Sequence, residues 1–316
     1  MTDPGAPAAT TRPERLAPGA RVAVVAPSGP VPEDRLAGGL DVLRGWGLEP
    51  VVAPHVLTAH PEFDYLAGTD AQRAADLQWA WCAPDVDAVF CARGGYGAQR
   101  MVELLDWTAM RAALRTGRPK PLVGYSDITA LHEAFAVRLG VSTLHGPMVA
   151  AADFVKDERA REHLRATLFE PESVRTITAA DGYRALVPGV AAGVTLGGCL
   201  SLLAAELGAP AARASARGAL VCLEDVGEEA YRIDRYLTQL LRAGWLDGAA
   251  GFVLGSWQDC EPVRDLLVDR LGGLGVPVVD GFGFGHGSGA LTVPLGVRAA
   301  LDAEAGSLTL DVPALR

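Results

Sequence analysis

The stretch PLVGYSDITALHEAF, residues 121–135, constrains this chain more than any other. A short apolar run, Pro121 to Tyr125, meets Ser126, and Ile128, Leu131, Phe135 and Leu139 then recur at intervals of three to four. A buried strand followed at once by a core-facing helix satisfies both patterns. A serine at that junction sits on a tight turn with its hydroxyl pushed outward. The unpaired N–H groups that open the helix lie beside it and can stabilise a developing oxyanion. The simpler alternative is that Ser126 or Asp127 only caps the helix.

The same alternation runs through the first half of the chain. Apolar runs at 21–26, 49–53, 88–92 and 141–145 read as strands, with helical patterns between them at 33–46 and 70–81. Strands alternating with helices predict an α/β domain with a doubly wound, mostly parallel sheet. Ligands bind such sheets beyond the carboxyl ends of the strands. Ser28, Gly94 to Gly97 and Ser126 all fall there. Residues 1–18 read as a disordered tail and 19–170 as this first domain. Residues 171–188, rich in Pro, Gly and polar side chains, read as a linker. Residues 189–316 then form a smaller mixed α/β domain. In it Gly197-Gly198 is expected to open a helix, 219–223 to be a strand, 230–243 a helix, and 251–254, 276–279, 291–293 and 308–312 further strands.

Charge narrows the partners. The 316 residues hold 28 Lys and Arg against 38 Asp and Glu, a net charge of −10. Such a surface repels nucleic acid and anionic membranes. No run approaches the roughly eighteen apolar residues of a membrane span, and residues 1–18 lack the apolar segment of a signal peptide. Cys82, Cys91, Cys199, Cys222 and Cys260 are scattered, with no CxxC. That usage fits a reduced, cytoplasmic protein without a disulfide frame or a thiolate zinc site.

Two further stretches suggest chemistry. Ala219 to Leu223 leads directly into Glu224 and Asp225, and an acid at a strand end can orient a histidine as the third member of a triad. A helix-start acid is the alternative for Glu224, and the better reading for Glu228 and Glu229. In Gly281-Phe-Gly-Phe-Gly285-His286-Gly-Ser-Gly289, alternate glycines tolerate close approach of other groups. His286 stands alone among them on a loop after an apolar strand, where it could accept a proton from Ser126. Gly285 to Ala290 also fits a GxGxxA dinucleotide pattern, but 291–295 reads as strand and removes the helix N-terminus that pattern needs. His132-Glu133 starts an HExxH that Ala136 breaks, and no GxxxxGK[ST] occurs. Lys120 precedes the Ser126 strand and belongs at its far end, which disfavours a Ser–Lys dyad. GxSxG is half matched, because Ile128 replaces the second glycine.

Taken in order, an ARGGYG loop, the GYSDIT elbow, a GG-x-LSLL segment, LEDVGEEAYRIDR and FGHG resemble the LD-carboxypeptidases, serine peptidases of cell-wall recycling. The resemblance spans about residues 21–312. It implies two α/β domains with the active site between them, no metal or cofactor, a cytoplasmic location and a homodimer. It also implies a triad of Ser126, Glu224 and His286, with an oxyanion hole from the backbone N–H groups of Gly95 and Asp127. The substrate it implies is a murein tetrapeptide, cut between an L-centre and a terminal D-amino acid. A microcin-immunity branch of the same family, which cleaves aminoacyl-nucleotide amides, is the nearest rival; it uses an aromatic contact where 178–193 offers only Tyr183. A non-catalytic peptide or sugar binder on the scaffold is a third reading. Arg93, Arg232 and Arg235 are candidates for a terminal carboxylate. One departure stands out: the family commonly has Asn where this chain has Cys199.

Overall fold

The structure, a computed structural model, describes residues 8–316. Strands and helices alternate through the first half: β1 (Arg21–Val25), α1 (Glu33–Gly45), β2 (Glu49–Val52), α2 (Asp70–Cys82), β3 (Ala88–Cys91), α3 (Ala98–Met101), α4 (Trp107–Thr116), β4 (Leu122–Gly124), α5 (Thr129–Leu139) and β5 (Thr143–His145). Next come α6 (Ala152–Lys156), α7 (Glu158–Phe169), β6 (Thr176–Thr178), β7 (Arg184–Val187), β8 (Val190–Cys199) and α8 (Leu200–Ala205). The chain ends with β9 (Ala219–Val226), α9 (Ala230–Arg242), β10 (Gly251–Gln258), α10 (Arg264–Leu271), β11 (Val278–Asp280), β12 (Val293–Leu295), β13 (Arg298–Asp302) and β14 (Ser307–Leu310). Local signals set several boundaries. Thr69 and Gln72 form a capping box at the start of α2, Asp106 caps α4, and Gly140 ends α5 at φ 67°.

The first sheet has the order β12-β5-β4-β3-β1-β2. Its five consecutive strands are parallel, and the order reverses between β3 and β1. The turns after β1 and β3 therefore flank a topological switch point, the usual place for a ligand. The second sheet has the order β6-β14-β13-β8-β9-β10-β11-β7. Its parallel centre, β8 to β11, is flanked by antiparallel strands. The two-domain α/β class read from the sequence is thus present.

Alternation along β9 decides where its end residues go. Leu220 and Cys222 join the apolar core shared with the first sheet, whereas Val221 and Leu223 face a second core under α8, α9 and α10. By the period of two, Glu224 belongs to the first face and Asp225 to the second. Helix α9 covers the second core with Ile233, Leu237 and Leu240.

Four expectations need revision. Gly197 and Gly198 do not open a helix; they end β8, and α8 begins at Leu200. A Cβ at Gly197 would fall 1.9 Å from the Cys222 carbonyl oxygen and one at Gly198 2.4 Å from Thr129 Oγ1, so close strand packing, not a helix start, demands these glycines. The segment 171–188 is more than a linker, because β6 and β7 complete both edges of the second sheet. Residues 1–7 of the expected tail lie outside the described residues. Residues 10–16 are pinned by backbone hydrogen bonds to Gly296, Gly140, Arg316 and Leu168. Finally, β12 leaves the second half of the chain to pair antiparallel with β5 in the first sheet.

Candidate active site

Strand β4 ends at Gly124, and two residues later Ser126 takes φ 64°. That left-handed value is uncommon for a residue with a side chain and marks a strained turn. A 3-10 turn, Ser126–Ile128, leads straight into α5. Gly124 is required because Ile128 fills its space: a Cβ there would lie 2.9 Å from the Ile128 side chain. Asp127 does not cap its own helix. Its carboxylate accepts the Ala98 N–H at 2.8 Å and so ties the elbow to the start of α3. Burial pushes the Asp127 carboxyl up, against the pull of that N–H.

The ARGGYG loop after β3 passes directly over Ser126. A Cβ on Gly94 would fall 3.0 Å from Ser126 Cβ and 3.2 Å from its Oγ. The Gly29 N–H donates to the Gly94 carbonyl at 3.0 Å, joining this loop to the Ser28 turn. Arg73, buried on α2, donates to the carbonyls of Pro27, Gly68 and Gly97 and so braces both turns from beneath. An arginine in a helical pattern gave no sequence signal of that role.

Glu224 comes from the other sheet. It is fully buried, and its Oε2 lies 2.7 Å from His286 Nδ1. A glycine is needed at position 285 because a Cβ there would sit 2.3 Å from Glu224 Oε2. Burial alone would raise the Glu224 carboxyl. The imidazoles of His145 and His286 outweigh burial and hold it at about 2. The His286 ring meets Tyr125 edge-on, 4.8 Å between centroids, beside the residue that precedes Ser126. The loop 281–289 is also the crossing from β11 in the second sheet to β12 in the first. Glu224 and His286 thus meet at the seam between the sheets, beside the turn that carries Ser126.

Thr129 ties that seam together. Its hydroxyl donates to the Ser126 carbonyl at 2.7 Å and accepts the Cys199 N–H at 2.9 Å. The Cys199 thiol turns away to Asp225 Oδ1 at 3.2 Å, and burial, with the nearby Glu224 and Asp225 charges, pushes that thiol well up. Lys120 lies elsewhere, donating to the Ala80 and Ala83 carbonyls. Arg93 donates to the Pro30 carbonyl, Arg232 lies near Glu228 and Glu229, and Arg235 stacks on Tyr231. Beside His286 an open cleft of about 880 Å³ is lined by Lys156, Arg159, Glu158, Glu162, Gly287 and Ser288.

A two-domain α/β fold with a serine on a strained strand-to-helix turn and a histidine–carboxylate pair packed beside that turn is an arrangement found in hydrolases. Residues 22–146 match the model of the LD-carboxypeptidase N-terminal domain, and 192–301 that of the LD-carboxypeptidase C-terminal domain. The chain belongs to the LD-carboxypeptidase family, and it is a peptidase. A Streptomyces coelicolor protein provisionally named a carboxypeptidase is 74% identical over 307 residues, covering 96% of this chain and 97% of the relative. The murein tetrapeptide carboxypeptidase of Pseudomonas aeruginosa is 33% identical over 89% of this chain and 93% of its own. The microcin C7 self-immunity protein MccF of Escherichia coli is 26% identical, with 88% of each chain covered. Among solved structures, muramoyltetrapeptide carboxypeptidase from Oxalobacter formigenes superposes with a TM-score of 0.75 at 27% identity, covering 93% of this chain and 99% of its own. An MccF-like protein from Bacillus anthracis reaches 0.84 at 23% identity over 94% and 98%, a likeness of fold.

Proposed function

We propose that this chain is a cytoplasmic LD-carboxypeptidase acting on murein tetrapeptides through Ser126, His286 and Glu224. The observation that carries the reading is the buried Glu224 carboxylate, 2.7 Å from a histidine that packs against the elbow. Ser126 Oγ attacks the carbonyl of the L-centre, meso-diaminopimelate or lysine, while His286 takes its proton. Glu224 holds the imidazole in one tautomer and stabilises the imidazolium. The backbone N–H groups of Gly95 and Asp127 receive the oxyanion. His286 then protonates the departing D-amino acid, and water hydrolyses the acyl-enzyme by the reverse proton path. The histidine stands on the leaving-group side, so the cleft beside it receives the terminal carboxylate. Lys156 and Arg159 line that cleft, whereas Arg93, Arg232 and Arg235 have engagements of their own. A homodimer completes the proposal by family likeness.

Hydrolysis of aminoacyl-nucleotide amides, as in the microcin-immunity branch, is the second reading. Tyr183, the aromatic residue in the corresponding region, donates to the Glu304 carbonyl at 2.7 Å, an engagement that favours the murein reading. The test is D-alanine release from L-Ala-γ-D-Glu-meso-diaminopimelyl-D-Ala. We expect Ser126→Ala to lower kcat by about 10⁴-fold or more and Arg159→Gln chiefly to raise KM. Release that survives Ser126→Ala would remove the triad. No release by the wild type would redirect the search to aminoacyl-nucleotide amides. If a fluorophosphonate also failed to label Ser126, a non-catalytic binder would replace both.

A further inference from the structure

We infer that His145 is a positioning residue for this reaction, holding the second carboxylate oxygen of Glu224 while His286 holds the first. The inference rests on the triad proposed above. Glu224 carries its charge where no part of it reaches solvent. Its Oε2 is matched by His286, but among the described residues its Oε1 accepts no hydrogen bond. His145 Nε2 lies 3.7 Å from that oxygen. This is an electrostatic contact, not a hydrogen bond, and a shift of under about 1 Å would make it one. Neither ring nitrogen of His145 has another hydrogen-bond partner among the described residues, and the side chain is 2% exposed. The buried Glu224 Oε1 and the buried His145 ring, without other partners among the described residues, therefore face each other, where each is costly alone and stabilising when paired.

The backbone of His145 is fixed for such a task. It lies on β5, opposite Gly124 of β4 on one side and Val293 of β12 on the other. Its ring meets Phe284 edge-on at 5.5 Å and lies 5.8 Å from Tyr125 and 6.0 Å from His132. Phe284 is two residues before His286, and Tyr125 is one before Ser126. One imidazole thus underlies the acid, the loop carrying the base and the turn carrying the nucleophile. As His286 becomes imidazolium, Glu224 must remain ionised and unrotated. With Oε1 facing Nε2–H, rotation of the carboxylate breaks two contacts instead of one. The other titratable groups around this floor are His132 on α5, Cys199 on β8 and Asp225 on β9.

The experiment compares His145→Phe, which keeps a ring, with His145→Asn, which keeps a donor. For His145→Phe we expect kcat on the tetrapeptide to fall about 10- to 100-fold, the usual effect of losing the partner behind a functional side chain, with KM nearly unchanged. The acid limb of kcat/KM should move to higher pH. Without the inner donor, Glu224 either protonates more readily or places more of its charge on His286, and both changes raise that limb. His145→Asn should restore most of kcat and the limb, and the rate of fluorophosphonate labelling at Ser126 should follow kcat. In the wild type, ¹⁵N-histidine NMR at neutral pH should find the His145 proton on Nε2 and a shift of that signal in Glu224→Gln. Three results would overturn the inference: wild-type kcat and pH profile in folded His145→Phe, equal losses in both variants with an unmoved acid limb, or a proton on Nδ1 instead. The tautomer decides the matter even if a variant fails to fold. A wild type inert to both peptide and fluorophosphonate would instead refute the triad, and the tautomer measurement would still decide what His145 offers Glu224.

Discussion

Ser126 is reached by a strand of three residues, a single left-handed turn and an immediate helix. His286 is reached through a nine-residue run with glycine at every second position, four of the five at positive φ. The first arrangement fixes the direction of a Cα–Cβ bond by local backbone geometry, through the left-handed turn at Ser126. The second has no regular structure of its own. The histidine is placed by what the loop touches: Glu224 beneath it and Tyr125 beside it. Ser126 is therefore set locally, and His286 is set by tertiary contacts with residues of both sheets.

Matched glycine substitutions test that contrast most severely. A methyl on Gly285 would press 2.3 Å from Glu224 Oε2, on a backbone at φ 96°, so the loop must move as a whole. We expect Gly285→Ala to lower kcat about 10²-fold or more, the usual consequence of a displacement near 1 Å, and to destabilise the fold by about 1–3 kcal/mol. Gly94→Ala adds a methyl 3.0 Å from Ser126 Cβ, without a positive φ and against a turn held by its own backbone. Its loss should be near tenfold. Activity assays and thermal melts of both proteins check this. A Gly94→Ala more damaging than Gly285→Ala would invert the contrast.

The same contrast explains what was legible in the sequence. The elbow showed itself because its strand, turn and helix are consecutive, and the five parallel strands of the first sheet are short apolar runs with helices between them. Glu224 and His286 were visible as residue types after apolar strands. Their meeting was legible only through the family resemblance, because no local pattern tells which strand end a glycine-rich loop will fold against. His145 gave no local sign, being one histidine at the end of a strand. Strand β8 was read as a helix start because Gly197 and Gly198 look like a break. What they answer to is the Cys222 carbonyl on the neighbouring strand and Thr129 on the other domain. Strands β6 and β7 were hidden by their polar, half-exposed composition, as sheet-edge strands often are. Residues 10–16 hold their place through carbonyls from distant parts of the chain, which composition cannot reveal.

The two sides should also separate in acid. Beneath the elbow, His132 contacts the Gly124 carbonyl at 2.9 Å, and burial, with His145 nearby, lowers it to about 3. On the loop side Glu224 is held at about 2. Both values lie below those of the unfolded chain, so in each window the unfolded state binds more protons and stability is lost as pH falls. His132 should cost stability as pH drops from 6.5 towards 3, and Glu224 from 4.5 towards 2. Asp127 and Asp225, both raised by burial, oppose part of this loss. Urea melts across pH should show His132→Gln flattening the upper window and Glu224→Gln the lower. A single slope unaffected by either substitution would mean that neither group controls acid lability.

The smallest expected effect concerns the tie between the two sides. Thr129 joins the Ser126 carbonyl to the Cys199 N–H, so it links the locally built elbow to the end of β8. Thr129→Val keeps the shape and leaves the buried Cys199 N–H unpaired, a loss of about 1–3 kcal/mol. Because the Ser126 backbone is already held by its turn, kcat should fall less than tenfold while the melting temperature drops. Thr129→Ser should recover both. The Cys199 side chain takes no part in this bridge, since the backbone supplies the N–H and the thiol goes to Asp225. Cys199→Asn should therefore leave the bridge intact and act at Asp225 and Ser201, which the thiol contacts. If Thr129→Val instead cost as much activity as Gly285→Ala, the elbow would depend on the second domain as heavily as the histidine loop does, and the distinction between a locally set Ser126 and a His286 set by tertiary contacts would fail.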